Sequence, residues 1–282
     1  MRLFNTKTYE LEYFATWAQV PPYAILSHTW SDDEVSDPAT EFSAKYPHLQ
    51  WAVKKEGWKK IEGCCQEAEK YGVHHLWIDT ICINKRSSSE LTESINSMWA
   101  WYRDAKVCLA YLEDVSPPKL SLDETEDRQT SRWFTRGWTL QELIAPKEVF
   151  FFYNDWTFIG TRAHLASPIH QLTQVPQNIL ERRDKLNLNK YSVAERFLWA
   201  SRRFCTREED RAYSLLGLMG VVLPVIYGEG YRRACYRLQL EVFKATADQS
   251  MFAWRACIRP WEAPEKLIIA LARFGEGHAD SI

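Results

Sequence analysis

Tyr23-Ala-Ile-Leu-Ser-His28 is a short apolar run that follows Pro21-Pro22 and closes in polar residues, the pattern of a buried strand with a turning or functional end. Three further runs share its texture: His75-Leu-Trp-Ile-Asp79, Lys106-Val-Cys-Leu-Ala-Tyr-Leu112 and Lys147-Glu-Val-Phe-Phe-Phe-Tyr153. None alternates strictly between apolar and polar residues, so each reads as a strand covered on both faces. Helical signals separate them. Trp58, Ile61, Cys65 and Ala68 recur at helical spacing between Glu56 and Tyr71, and Gly72 supplies a stop. Ser87-x-x-Glu90 is a capping box opening a helix with Leu91, Ile95, Met98 and Tyr102 on one face. Strands alternating with helices predict an α/β unit over residues 1–160, built on a doubly wound, mainly parallel sheet. In such sheets ligands sit outside the carboxyl ends of the strands, where Ser27, His28 and Asp79 lie.

Beyond Trp156 the texture changes. Ser192-x-x-Glu195 and Thr206-x-x-Glu209 are capping boxes followed by periodic apolar residues, which predicts a mainly helical part over 161–255. No repeat or flexible linker separates it from the sheet, so one composite unit is expected. Residues 256–282 form a weakly patterned tail, and the natural chain is open to being longer.

Ser131–Pro146, SRWFTRGWTLQELIAP, carries the chemistry. Trp138 and Glu142 stand at i, i+4 on one predicted helix face, where an indole can wall a pocket around a carboxylate. A carboxylate in such a setting suits cleavage of a glycosidic bond, because its charge opposes the cation that develops on the sugar. The structural alternative is that Thr139-x-x-Glu142 caps a short helix ended by Pro146, with Trp138 in the core. Arg132 and Arg136 precede this helix and are candidates either for holding a pyrophosphate bidentately or for pairing with the acids of Asp123–Asp127. Arg207, Glu209 and Asp210 form a charged knot expected to tie the helical part to the sheet.

Composition narrows the function classes. The chain has 282 residues, of which 46% are hydrophobic and 26% charged, as in an ordinary soluble globular protein. A formal charge of −2 and the lack of a basic, aromatic-interleaved footprint argue against nucleic acid as a partner. Seven irregularly spaced cysteines without a CxxC point to reduced thiols rather than disulfides or structural zinc, and His74-His75 lacks companions at ligand spacing, so no metal is expected. No stretch reaches the ~20 apolar residues of a membrane span, and the N-terminus lacks the run of a signal peptide, giving a cytoplasmic expectation.

The blocks Tyr23–Trp30, Leu76–Thr80, Ile83–Lys85, Ile95–Asp104, Ser131–Leu143, Ser192–Arg196, Thr206–Asp210 and Tyr227–Gly230 together resemble the fungal heterokaryon incompatibility (HET) domain. They arrive in the family's order across about residues 20–255. The resemblance implies a role in fungal non-self recognition and programmed cell death, and a distant similarity to the flavodoxin-like TIR domains. In NAD-cleaving TIR domains a Trp-x-x-x-Glu pattern supplies the catalytic glutamate, and Trp138-Thr-Leu-Gln-Glu142 is similar to it. The implied enzyme is an NAD glycohydrolase with NAD as substrate and no cofactor. Glu142 is its catalytic residue, with Ser27, His28, Trp30, Asp79, Arg136 and Trp138 as substrate-binding candidates. A non-catalytic signalling module acting by homotypic assembly, or with other signalling domains, is the alternative.

Overall fold

The computed structural model describes residues 1–35, 56–118, 130–182, 186–248 and 250. The Asp123–Asp127 loop and the 256–282 tail lie outside the described residues. Seven strands make one sheet in the order β2-β1-β4-β3-β5-β6-β7. They are β1 (Arg2–Asn5), β2 (Leu11–Tyr13), β3 (Ala24–His28), β4 (His75–Trp77), β5 (Val107–Tyr111), β6 (Val149–Phe152) and β7 (Phe158–Thr161). The helices placed around them are α1 (Glu56–Lys70), α2 (Asp79–Cys82), α3 (Ser88–Asp104), α4 (Thr139–Ile144), α5 (Ala166–Thr173), α6 (Gln177–Leu180), α7 (Val193–Ala200), α8 (Asp210–Tyr213), α9 (Leu216–Met219) and α10 (Tyr231–Ala245).

The four apolar runs form the parallel centre, β4-β3-β5-β6. Every residue of β3 and of β5 is buried, which is why neither run alternates. The chain leaves β3 through α1 to reach β4 on one side, then returns through α3 to β5 on the other. This reversal makes the carboxyl ends of β3 and β5 the topological switch point, the place where doubly wound sheets receive ligands.

The edges add antiparallel strands that the sequence patterns do not place. A hairpin of β1 and β2 adds antiparallel to β4, and β7 adds antiparallel to β6. These strands are three or four residues long and partly exposed, so they carry no continuous apolar run to betray them. They cover both flanks of the parallel centre, so the sheet is mixed with a parallel centre, as a mainly parallel sheet allows.

Helix signals fared unevenly. Gly72 ends α1 with φ 65°, the left-handed stop its position predicts. Ser192 and Glu195 close a complete capping box on α7. Ser87 accepts from the Glu90 amide at 3.3 Å, but the Glu90 carboxylate turns to Arg2 and to the Asn84 amide instead of closing the box. Thr206 does not cap a helix at all: its hydroxyl accepts from Arg136, and Glu209 takes the amides of Gly228 and Gly230 at 2.8 and 3.2 Å. The helical part docks through such contacts. Asn96 of α3 clasps Leu223 with two main-chain bonds of 2.8 and 2.9 Å, and Asp210 accepts from Trp138 and Tyr227.

Candidate functional site

Glu142 lies on the buried face of α4, only 6% exposed, and its carboxyl accepts the Ser27 hydroxyl at 2.5 Å. Ser27 in turn accepts the Trp133 indole N–H at 2.8 Å. A further hydrogen bond joins Glu142 to Tyr102, whose hydroxyl lies 3.0 Å from the Leu26 carbonyl. Burial pushes the Glu142 carboxyl up to about 8, against the opposing pull of its Ser27 and Tyr102 hydrogen bonds, so the acid is mostly neutral at pH 7. The donors run inward towards this carboxyl: Trp133 donates to Ser27 and Ser27 to Glu142, while the Tyr102 hydroxyl beside it donates to the Leu26 carbonyl.

The capping role anticipated for Thr139 and Glu142 is not taken. Thr139 donates to the carbonyls of Trp133 and Arg136, which carry it inward and leave Glu142 to reach the strand. The end of α4 is instead held from behind by two arginines. Arg162, 2% exposed, donates to the carbonyls of Leu143, Pro146, Lys147 and Leu180 at 2.7–3.0 Å. Arg182 donates to Ile144, Ala145 and Pro146. Cations at these carbonyls complement the negative end of the helix.

His28 faces the other side of β3 from Ser27, as strand geometry requires. Its Nε2 stands 2.9 Å from Asp79 Oδ1, and its Nδ1 3.1 Å from Lys60 Nζ. Burial and the Lys60 ammonium lower the imidazole pKa, while Asp79 and Glu34 overcome them and raise it. The Lys60 contact is a hydrogen bond only with Nδ1 accepting, that is, in the neutral ring; on protonation Lys60 keeps Glu34, Glu113 and the Thr29 carbonyl. Burial raises the Asp79 carboxyl, but His28, Lys85 and the Trp30 N–H outweigh it and hold it low. Trp30, 48% exposed, donates to Asp79 Oδ2 at 2.8 Å and carries the Lys85 ammonium 3.7 Å from its ring centre.

The structure therefore sorts the anticipated residues into three places. Ser27 and Glu142 meet inside, while His28, Trp30 and Asp79 form a polar cluster at the strand ends. Trp138 and Arg136 bond towards the helical part, to Asp210 at 3.1 Å and Thr206 at 2.8 Å. Arg132 pairs with Glu113 and reaches Thr29. Lys60, Lys85, Tyr102 and Trp133 join the site without a local signal, since their partners lie far along the chain. Three cavities of about 50, 790 and 90 Å³ are lined by other residues, the first by Gly137, Arg203 and Cys205, so Glu142 opens onto none of these.

Among the described residues no group of three metal-ligating side chains gathers, and no helix is long and apolar enough to cross a membrane. The six described cysteines are free thiols.

Residues 23–123 match the family model described as heterokaryon incompatibility protein (HET), a span that includes β3, β4 and β5. The chain is 46% identical over 230 residues to the vegetative incompatibility protein HET-E-1 of Podospora anserina. That alignment takes in 80% of this chain but 16% of the relative, so the chain spans a small part of that protein's length. No solved structure gives a significant match. The family-model match over residues 23–123 and the 46% identity to this relative over 80% of the chain together identify it as a fungal heterokaryon incompatibility (HET) domain protein.

Proposed function

We propose that this chain is the signalling domain of a protein acting in heterokaryon incompatibility, and that Glu142 is the carboxylate of an NAD-cleaving site held closed in the conformation described. The observation that carries the chemistry is a carboxyl that is buried at β3, near its carboxyl end, and enters no ion pair among the described residues. Hydrocarbon at that position would carry no desolvation penalty, and strongly perturbed acids beside a ligand crevice mark functional sites. The order β4-β3-β5-β6 supports the TIR-like reading, because it reproduces the start of the flavodoxin-like order. The family assignment and the relative's name support the role in incompatibility and, by extension, cell death.

In the reaction proposed, the bond between nicotinamide nitrogen and ribose C1′ breaks with its electron pair going to the ring. Nicotinamide leaves neutral and needs no general acid. Ionised Glu142 opposes the ribosyl cation, and water adds at C1′ to give ADP-ribose and a proton. Ionisation requires Glu142 to gain water or a cation, so opening of the α4–β3 contact is part of the mechanism. His28 and Asp79 hold the strand ends in register for the substrate. The burial of Glu142 against Ser27 and Tyr102 favours a second reading, a non-catalytic module that assembles with copies of itself or with other signalling domains in the cytoplasm.

Nicotinamide release from NAD by concentrated, purified protein, wild type against Glu142→Gln, separates the two. Turnover by wild type alone supports the hydrolase. Silence from both, with the fold intact, directs the function to assembly.

A further inference from the structure

We propose that the outer face of Trp30, with the Asp79 carboxylate at its edge, is a subsite for a cationic ring, and that Lys85 occupies it as an internal plug. For its natural ligand, the pyridinium of oxidised NAD, this rests on the reading above; the subsite itself stands on geometry.

Three features define it. The Trp30 indole is pinned by its 2.8 Å bond to Asp79 Oδ2, so the ring is held in one orientation although 48% of the residue is exposed. Asp79 is itself held by His28 at 2.9 Å, which keeps a carboxylate beside the ring. The ring face already holds a cation, the Lys85 ammonium 3.7 Å from the centroid, well inside the ~6 Å reach of a cation–π contact. An aromatic face with a fixed acid at its rim attracts a positively charged ring by charge and by stacking together. A neutral ring gains only the stacking.

The position suits a substrate. Trp30 follows β3 and Asp79 follows β4, so the platform stands at the carboxyl ends of adjacent parallel strands. Lys85 sits in the exposed turn between α2 and α3, on a long side chain that can leave without disturbing the core. A pyridinium arriving from solvent therefore competes with the ammonium for one face. Once bound, it places its ring over the polar cluster of His28 and Asp79.

The test uses 1-methylnicotinamide, a permanently charged pyridinium without a cleavable ribose bond, and neutral nicotinamide as its control. The indole N–H resonance of Trp30, assigned by its loss in Trp30→Phe, is followed by NMR during each titration. The charged ring is expected to shift this signal and the neutral ring to shift it far less. Lys85→Met is expected to bind the charged ring about two- to fivefold tighter, the fold-change that loss of a competing exposed cation–π contact provides. No shift, equal response to both rings, or unchanged or weaker binding in Lys85→Met overturns the proposal. Pyridinium binding without NAD turnover leaves the subsite standing and sinks the hydrolase. Turnover without a Trp30 response does the reverse.

Discussion

At Glu142 the exchange of carboxyl for amide separates shape from charge. The group holds its proton up to about pH 8 in the folded chain, against 4.5 for an ordinary glutamate side chain. Between those values the unfolded state ionises while the folded state does not, so the folded state binds more protons and stability falls as pH rises. The contribution is complete below pH 4.5 and lost by pH 8, at most about 5 kcal/mol. Glu142→Gln keeps the shape of the side chain and an acceptor for Ser27, so it is expected to unfold near the wild-type denaturant midpoint at pH 5. It should be the more stable of the two at pH 8. Parallel urea curves at both values check this, and a constant difference between the proteins refutes the neutral buried acid. Little of this residue-scale arrangement was legible in advance. Ser27 and Glu142 were both singled out, but the bond joining them spans 115 positions and has no periodic signature. Lys60 and Tyr102 stood in sequence as ordinary helix residues, and only the packing of α1 and α3 on the sheet gives them polar partners.

On the scale of elements, α4 is six residues long and makes too few internal hydrogen bonds to hold itself. Its end is secured by the Arg162 and Arg182 guanidinium groups, which have main-chain carbonyls as their acceptors. Arg162→Met leaves several buried carbonyls without donors and is expected to cost more than about 3 kcal/mol, read from the urea midpoint at constant slope. A loss below 1 kcal/mol would show that packing alone positions the helix. The central strands were readable because burial on both faces makes them plain apolar runs. The flanking β1, β2 and β7 were not, because a short, half-exposed strand pairs mainly through its backbone, about which side chains say little. The motif Thr139-x-x-Glu142 misled for a related reason: a hydroxyl three residues before an acid is free to serve tertiary carbonyls, and Thr139 does so.

For the molecule as a whole, the helical part and the sheet share their polar contacts, which argues for one cooperative unit. Asn96 gives both side-chain atoms to the Leu223 main chain. Asn96→Ala is expected to lower stability by about 2 kcal/mol while leaving a single unfolding step. A second transition appearing in calorimetry would instead make the helical part a separate domain. On a ribosome the arrangement imposes an order. The acid of α4 emerges before Arg162 and Arg182, the residues that lock its helix, and before Asp210, which anchors Trp138. A nascent chain therefore lacks the full set of anchors around Glu142 until some seventy further residues have been made, an interval counted in seconds at ordinary rates of synthesis. The restraints on that acid are thus the last part of its surroundings to be made.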